Sequence, residues 1–223
     1  MEVRLSAGDI ARFTAYLIAG FLAAHVLVQS ARFASGNDSL FGLVTMFSLG
    51  SDRNFPTFYS ALAICLCAVL LAVAGHASRQ RYTWHWYGLA LVFLFLASDE
   101  ILEIHERTIE PMRGLFNATG LLYYAWVVPY GLAALLLAII YLRFLLHLPG
   151  RTRSLFISAG LLFVIGALGF EMLGGWYSEM HGNRNVVYVL YQTVEELLEM
   201  TGIAVFLYAL ADYLQNLDKG GWV

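Results

Sequence analysis

The sequence predicts an all-α fold, a polytopic membrane helix bundle of about six transmembrane helices. Of its 223 residues, 60% are hydrophobic and only 13% are charged, whereas soluble domains average roughly 45–50% apolar and about 25% charged residues. The apolar residues fall into six main stretches, and an α-helix needs roughly 20 residues to cross a hydrocarbon core. Six such helices with short connections take up almost the whole chain, so we expect residues 1–223 to form a single transmembrane helical domain.

Polar loops and prolines bound the six predicted helices. In chain order these cover Ile10–Gln29, Asn54–Ala74, Trp84–Ala97 with an acidic extension, Leu121–Leu146, Leu155–Tyr177 and Val187–Leu214. Pro56 suits the first turn of the second helix, Pro111 is expected to end the third, and Pro149 separates the fourth from the fifth. A further apolar piece, Leu40–Leu49, is too short to span and is predicted to lie at the membrane interface.

The distribution of Lys and Arg predicts the orientation of the bundle. Eight basic residues fall on the side that carries both termini: Arg4, Arg12, Arg79, Arg81, Arg143, Arg151, Arg153 and Lys219. Five fall on the other side: Arg32, Arg53, Arg107, Arg113 and Arg184. The positive-inside rule therefore favours cytoplasmic N and C termini, and we expect a multi-pass protein of the cell inner membrane. With a net charge of −3 and no basic cluster, the chain does not indicate a nucleic acid partner.

Acidic residues gather at one depth near the predicted outer face. At about 1.5 Å per residue, acids on the third, fifth and sixth predicted helices lie at overlapping heights: Asp99, Glu171, Glu195, Glu196 and Glu199. An unpaired carboxylate in hydrocarbon costs at least about 2.5–3.5 kcal/mol, and these helices carry no Lys or Arg at that depth. Protons, water or a bound cation must relieve the charge, and a divalent metal would do so most directly.

Helical spacing predicts which of these acids share a face. One stripe combines four acids at i, i+4, i+7 and i+11: Asp99, Glu103, Glu106 and Glu110. On the sixth helix Glu199 aligns with Glu195 or Glu196, and the spacing leaves open which of the two faces inward. On the fifth helix Glu171 lies on a side of small residues, which let neighbouring helices approach closely.

The acids and one histidine form a candidate metal site for Fe, Mn or Zn. The predicted ligands are Asp99, Glu103, His105, Glu171, Glu195, Glu196 and Glu199. A metal there would polarise a substrate or activate water, with Glu103 or Glu106 as the catalytic proton carrier. Simpler interpretations stay open, because Glu106 could be the solvated end of a helix and His105 an ordinary interfacial histidine. His25 is expected to be a core or cavity residue, and His181 to be solvated in a loop.

Three runs carry a resemblance to a known group of proteins. They are Ser98-Asp99-Glu100 through His105-Glu106, Asn54-Phe55-Pro56-Thr57, and Glu195-Glu196-Leu197-Leu198-Glu199-Met200. Together they resemble an uncharacterised family of bacterial multi-pass membrane proteins, and the resemblance implies no activity. The Glu-x-x-Glu pairs are similar to those of high-affinity iron permeases, whereas the Glu-x-x-His motif of ferritin-like di-iron proteins does not occur in the chain.

Three functions are compatible with this sequence. The first is a membrane metal-binding protein, including a metalloenzyme that acts on an apolar or lipid substrate from the bilayer. The second is a cation or metal permease, and the third is a structural or assembly subunit whose acids are satisfied by partner membrane subunits. Transporter sites often lie near the midplane between inverted repeats, whereas these acids lie near one face, which favours a one-sided site over a permease.

Overall fold

The computed structural model describes residues 6–78 and 82–218, and this part of the chain is helical almost throughout, without a strand. Its α-helices are α1 (Ala7–Ser35), α2 (Leu43–Phe47), α3 (Phe55–Ser78), α4 (Thr83–Leu102), α5 (Ile104–Arg107), α6 (Ile109–Phe116), α7 (Val127–His147), α8 (Gly150–Val164), α9 (Glu171–His181) and α10 (Val186–Asp218). Single 3₁₀ turns cover Leu40–Gly42 and Gly120–Leu122, and a π-helical turn, Ile165–Phe170, joins α8 to α9.

Six helical segments of the described chain are long and apolar enough to cross a membrane, as the sequence predicts. They are α1, α3, α4, α7, the continuous α8–α9 segment and α10. This architecture fits an integral, multi-pass membrane protein. Four basic residues that enter the orientation prediction lie outside the described residues: Arg4, Arg79, Arg81 and Lys219.

Local capping makes the first span longer than predicted. The Ser6 hydroxyl accepts a hydrogen bond from the Asp9 backbone N–H at 3.1 Å, and the Asp9 carboxylate accepts one from the Ser6 N–H at 3.2 Å. This reciprocal capping box satisfies two backbone donors that would otherwise be orphaned. At the other end Gly36 adopts a left-handed φ of 68° and closes the helix.

The helices differ in how much of their surface lies inside the protein. About half of the apolar window of α3 and of α10 is buried, against 11% for α1 and α7. Large apolar side chains on α7 point outward: Leu132, Leu135, Leu136, Ile139 and Ile140. Helices α3 and α10 are therefore central, and the exposed leucine and isoleucine side chains of α7 are suited to contact lipid.

Aromatic and aliphatic side chains fill the bundle below the acidic residues of α10. Phe206 stacks on Phe93 with ring centroids 4.6 Å apart and lies 4.4 Å from Phe156. Trp86 contacts Phe144 edge-on at 4.9 Å. Met200, one residue after Glu199 in the chain, is fully buried. A packed apolar core thus bounds the acidic residues of α10 on one side.

The prediction of a single acidic stripe from Asp99 to Glu110 is wrong. Helix α4 ends at Leu102, and Glu103 adopts a left-handed conformation with φ 52° and ψ 45°. The two short helices α5 and α6 follow, and Pro111 lies in the first turn of α6 rather than at a helix end. Proline is tolerated there because first-turn N–H groups have no helical acceptor. Similarly, α7 starts at Val127 and not at Leu121.

The contact between α10 and α8 yields a test of the packing. A Cβ on Gly202 would lie 2.9 Å from both the Ala159 carbonyl oxygen and the Phe163 backbone nitrogen. We expect Gly202→Ala to lower the melting temperature of the purified protein, at a cost of about 1–3 kcal/mol, because backbone atoms cannot move aside without separating the helices.

Gly160→Ala on the same helix pair is the matched control. A Cβ there meets nothing within 4 Å, and alanine is favoured over glycine in a helix interior by about 1 kcal/mol. Thermal unfolding in detergent should therefore separate the two variants. Equal melting temperatures would contradict the close approach at Gly202.

Candidate carboxylate and histidine site

A close helix contact brings the acids of α9 and α10 to one level. Gly166, in the π-helical turn just before Glu171, faces α10, and a Cβ there would lie 2.8 Å from the Glu195 carbonyl oxygen and 3.0 Å from Glu199 Cγ. Short π-helical turns inside longer helices occur frequently at functional sites. The turn lets the α8–α9 segment lie directly on α10 where its three glutamates are located.

Two glutamates of this contact are direct neighbours. The carboxyl groups of Glu171 and Glu195 lie within hydrogen-bonding reach of each other, and the Trp126 Nε1–H donates to Glu171 Oε1 at 2.8 Å. A carboxyl oxygen only donates when it carries a proton. This pair therefore needs either a shared proton or a cation in its place.

Three more glutamates complete a buried acidic cluster. Glu196 and Glu199 interact electrostatically with each other and with Glu100 of α4. All three side chains are half-buried. Among the described residues, the one fully buried side-chain N or O atom without a hydrogen-bond partner is the Tyr59 hydroxyl oxygen. Each carboxylate oxygen of the cluster therefore has a partner or borders a space that water can enter.

Asp99 and His105 form a fixed pair at the edge of this cluster. Asp99 Oδ1 accepts from the His105 backbone N–H and from the Tyr130 hydroxyl, both at 3.0 Å, and Oδ2 lies 3.0 Å from His105 Nδ1. The His105 ring also packs on Trp126, with centroids 4.7 Å apart. These contacts hold the imidazole through Nδ1 and leave Nε2 as its atom for a ligand or a proton, the arrangement common in metal-binding histidines.

Desolvation and neighbouring charges shift the pKa values of three groups outside the spans, His105, Glu106 and Asp52. Burial opposes protonation of His105, but the hydrogen bond and charge of Asp99, with further negative charge from Glu106 and Glu171, raise its pKa above the ordinary value. Partial desolvation and the charge of Asp52 raise the pKa of Glu106. Burial and the charge of Glu103 raise the pKa of Asp52. Excess negative charge thus extends from the cluster to the end of the bundle.

Glu103 is held apart from the buried acids. Arg53 approaches it with both ends of its guanidinium, at 2.6 Å from Nε to Oε1 and 2.8 Å from Nη2 to Oε2. Arg53 is two-thirds exposed, so the pair contributes little to stability, but it neutralises the Glu103 charge. Glu106 is exposed, and Glu110 is exposed and paired with Arg113 at 2.9 Å.

Four residues of the site do not belong to the predicted ligand set: Asp52, Glu100, Trp126 and Tyr130. Glu100 is the neighbour of Asp99 and forms a Glu-x-x-Glu pair with Glu103, so its spacing was a usable signal. Asp52 lies in a loop that no helical pattern reaches. The aromatic donors become recognisable only once α7 is packed against Asp99 and Glu171.

The two remaining candidate histidines have separate surroundings. His25 is buried, as predicted, and its Nδ1 accepts from the Leu49 backbone N–H at 2.9 Å while its Nε2 lies 2.9 Å from the Thr193 hydroxyl. It thereby ties α1 to the following loop and to α10. His181 is exposed and stacks on Tyr177 at 4.5 Å.

Among the described residues, no group of three or more His, Cys, Asp or Glu side chains is already spaced to hold a metal ion. The acids are near one another without forming a finished coordination shell. Their glutamate side chains each have three rotatable bonds, so changes of rotamer alter the spacing between their carboxylates.

A family model matches residues 13–213, a range that includes every candidate site residue. The chain belongs to the family described as Domain of unknown function (DUF8692). No curated protein and no solved structure matches the chain. Membership of the DUF8692 family agrees with the resemblance to an uncharacterised family, and it assigns no activity to the site.

The Asp99–His105 pair gives a prediction on protonation. In protein treated with a chelator, we expect Asp99→Asn to lower the pKa of His105, because the variant removes the negative partner that outweighs burial. Protonation of His105 stabilises the fold fully below its ordinary pKa of 6.5, and that stabilisation is lost as pH rises through the higher folded-state value. Asp99→Asn should therefore reduce the gain in stability seen at low pH.

Ring resonances of labelled histidine, followed by NMR and assigned with His105→Gln, measure this pKa directly. Tyr130→Phe is the matched control, since it removes one hydrogen bond to Asp99 but keeps the negative charge, and it should leave the pKa of His105 raised. Identical titration curves for wild type and Asp99→Asn would refute the role assigned to the pair.

Proposed function

We propose that this protein is a multi-pass membrane metal-binding protein whose acidic cluster holds a divalent or transition metal ion, Fe, Mn or Zn. Of the predicted set, Asp99 would orient His105, and the ligands would be drawn from the other residues of that set and from the acid that the sequence prediction omitted: Glu100, Glu103, His105, Glu171, Glu195, Glu196 and Glu199. The observation that supports this most is the close approach of the Glu171 and Glu195 carboxyl groups amid three further glutamates.

A cation is the most direct way to stabilise such a group. Like charges at this depth repel strongly because the surroundings screen them poorly. The imidazole of His105 acts electrostatically on Glu171, but its single charge cannot balance five carboxylates. Oxygen ligands with one imidazole suit Fe, Mn and Zn.

The surroundings of His105 support its role as a nitrogen ligand. Metal-bound histidines commonly donate their second ring N–H to a carboxylate, which fixes the ring and increases the basicity of the ligating nitrogen. Asp99 is placed to accept such a bond from His105 Nδ1, so we assign Asp99 to orienting His105 and not to direct ligation.

The chemistry we propose is metal-assisted reaction of an apolar or lipid substrate. A metal in the cluster would act as a Lewis acid or activate water. Of the two predicted proton carriers, Glu106 is the better suited, because it is exposed and near His105, whereas Glu103 is bound by Arg53. With cytoplasmic termini, the site would open toward the outer face of the cell inner membrane.

The packed core argues for this one-sided site over the permease alternative. Phe206 contacts both Phe93 and Phe156 below the cluster, and Met200, next to Glu199 in the chain, is fully buried. A cation that crossed the protein along α10 would have to pass these apolar side chains without an oxygen ligand, at a large desolvation cost.

Elemental analysis of the purified protein tests the proposal. We expect one or two transition metal ions per chain in wild type and most of this metal to be lost in Glu199→Gln. The amide keeps the shape of the side chain but removes its charge. In Asp99→Asn the affinity should fall roughly 10- to 100-fold, as for other residues that orient a ligand.

Glu110→Gln is the matched control, because Glu110 is exposed and paired with Arg113, and it should retain the wild-type metal content. Folded wild-type protein that stays metal-free after incubation with Fe²⁺, Mn²⁺ and Zn²⁺ would overturn the proposal. In that case protons would be the species that neutralise the cluster.

A further inference from the structure

A polar cavity lies beside the acidic cluster, and its charged lining residues are basic. It has a volume of about 250 Å³ and is lined by α1, by the loop before α3, by the loop between α9 and α10, and by the start of α10. Two arginines, Arg32 and Arg184, contribute to its wall, together with the amides of Gln29 and Gln192. None of its lining residues is acidic.

The two arginines differ in their ion-pair partners. Arg32 is bound at the rim by the exposed Asp38, at 2.8 Å, and donates to Gln29 Oε1 at 3.4 Å. Arg184 is exposed and has no ion-pair partner in the part of the chain that the structure describes. One guanidinium is therefore partly neutralised, and the other has its full donor set available.

The walls of the cavity are fixed by hydrogen bonds between distant parts of the chain. Gln29 Nε2 donates to the Ser48 hydroxyl at 3.0 Å, and Gln192 Nε2 donates to the Gly50 carbonyl at 3.1 Å. A Cβ on Gly50 would overlap the Gln192 amide, so glycine is required for this closure. The Ser48 hydroxyl, which accepts from Gln29, keeps its own proton free to donate into the cavity.

We propose that this cavity binds the phosphate group of an anionic ligand at the membrane surface. Guanidinium groups match phosphate oxygens in geometry as well as in charge. The cavity lies at the end of one span and the start of another, the level at which lipid headgroups are found. Its volume is slightly below the roughly 300–1,000 Å³ of pockets for drug-sized molecules, which suits a headgroup.

This phosphate site goes beyond the proposed metal function and does not depend on it. The two sites are neighbours on α10, because Gln192 precedes Glu195 and Glu196 by three and four residues, about one helical turn. Tyr188, another lining residue, contacts Tyr124 through their hydroxyls at 3.0 Å. A ligand held by its phosphate in the cavity would thus be bound about one helical turn from the first glutamates of the cluster.

Calorimetric titration of the full-length protein in uncharged detergent, at fixed ionic strength, tests this site. The probes are dihexanoyl phosphatidylglycerol and inorganic phosphate. We expect saturable binding of at least one probe, weakened tenfold or more in Arg184→Gln. Arg107→Gln is the matched control, since Arg107 is also exposed at this end of the bundle but does not line the cavity.

The two probes distinguish the source of the phosphate. Preference for phosphatidylglycerol identifies a lipid headgroup, and equal or stronger binding of inorganic phosphate identifies a soluble phosphate ligand; both support the site. Failure of both probes to saturate would overturn it, as would equal weakening by Arg107→Gln and Arg184→Gln. Glu199→Gln should bind the probes as wild type does, and loss of binding there would show that the anion is held by a metal and not by the cavity.

Discussion

The constraint on which this structure depends is the cost of keeping carboxylates apart from bulk water and close to one another. Glu171, Glu195 and Glu199 lie within helices that are otherwise apolar enough to span a membrane, and an intramembrane acid is expensive unless it is neutralised or hydrogen-bonded. Neutral hydrogen-bond donors offset part of that cost: the Trp126 indole N–H donates to Glu171, and the Tyr130 hydroxyl donates to Asp99. The remaining charge needs a species that the chain itself does not supply in full.

The close helix packing is a consequence of the same constraint. Gly166 and Gly202 both face atoms of the opposing helix at less than 3 Å from a hypothetical Cβ, so the α8–α9 segment and α10 are in backbone contact above and below Glu199. Small residues permit such an approach in membranes, and here the approach brings side chains of two helices to hydrogen-bonding distance. A larger separation would leave each glutamate facing lipid alone.

The sequence predicts the spans well and the site only in part, for different physical reasons. Each span is a local property, a run of apolar residues of sufficient length, and Pro56 and Pro149 mark helix starts by their own chemistry. The break at Glu103 depends on a side-chain contact that helical periodicity does not include: the Asp99 carboxylate accepts a hydrogen bond from the His105 backbone N–H and thereby favours a turn. Helical spacing also treats Glu195 and Glu196 as alternatives, whereas both belong to the acidic cluster. Glu195 neighbours Glu171, and Glu196 interacts electrostatically with Glu100 and Glu199. Both can do so because α10 is central and has interior neighbours on more than one side.

Charge is separated along α10 in a way that bears on how a substrate would reach the site. The helix begins beside a cavity that contains two guanidinium groups, continues past the glutamates about one turn deeper, and then enters an apolar aromatic core. Because that core closes the lower side, access to the acids is from the end of the bundle where the cavity lies. A molecule with an anionic head and an apolar body is matched to this order of environments, since its head can remain at the arginines while its body stays in the membrane. The same order disfavours a free cation as cargo, because the apolar aromatic side chains below the glutamates offer it no oxygen ligand.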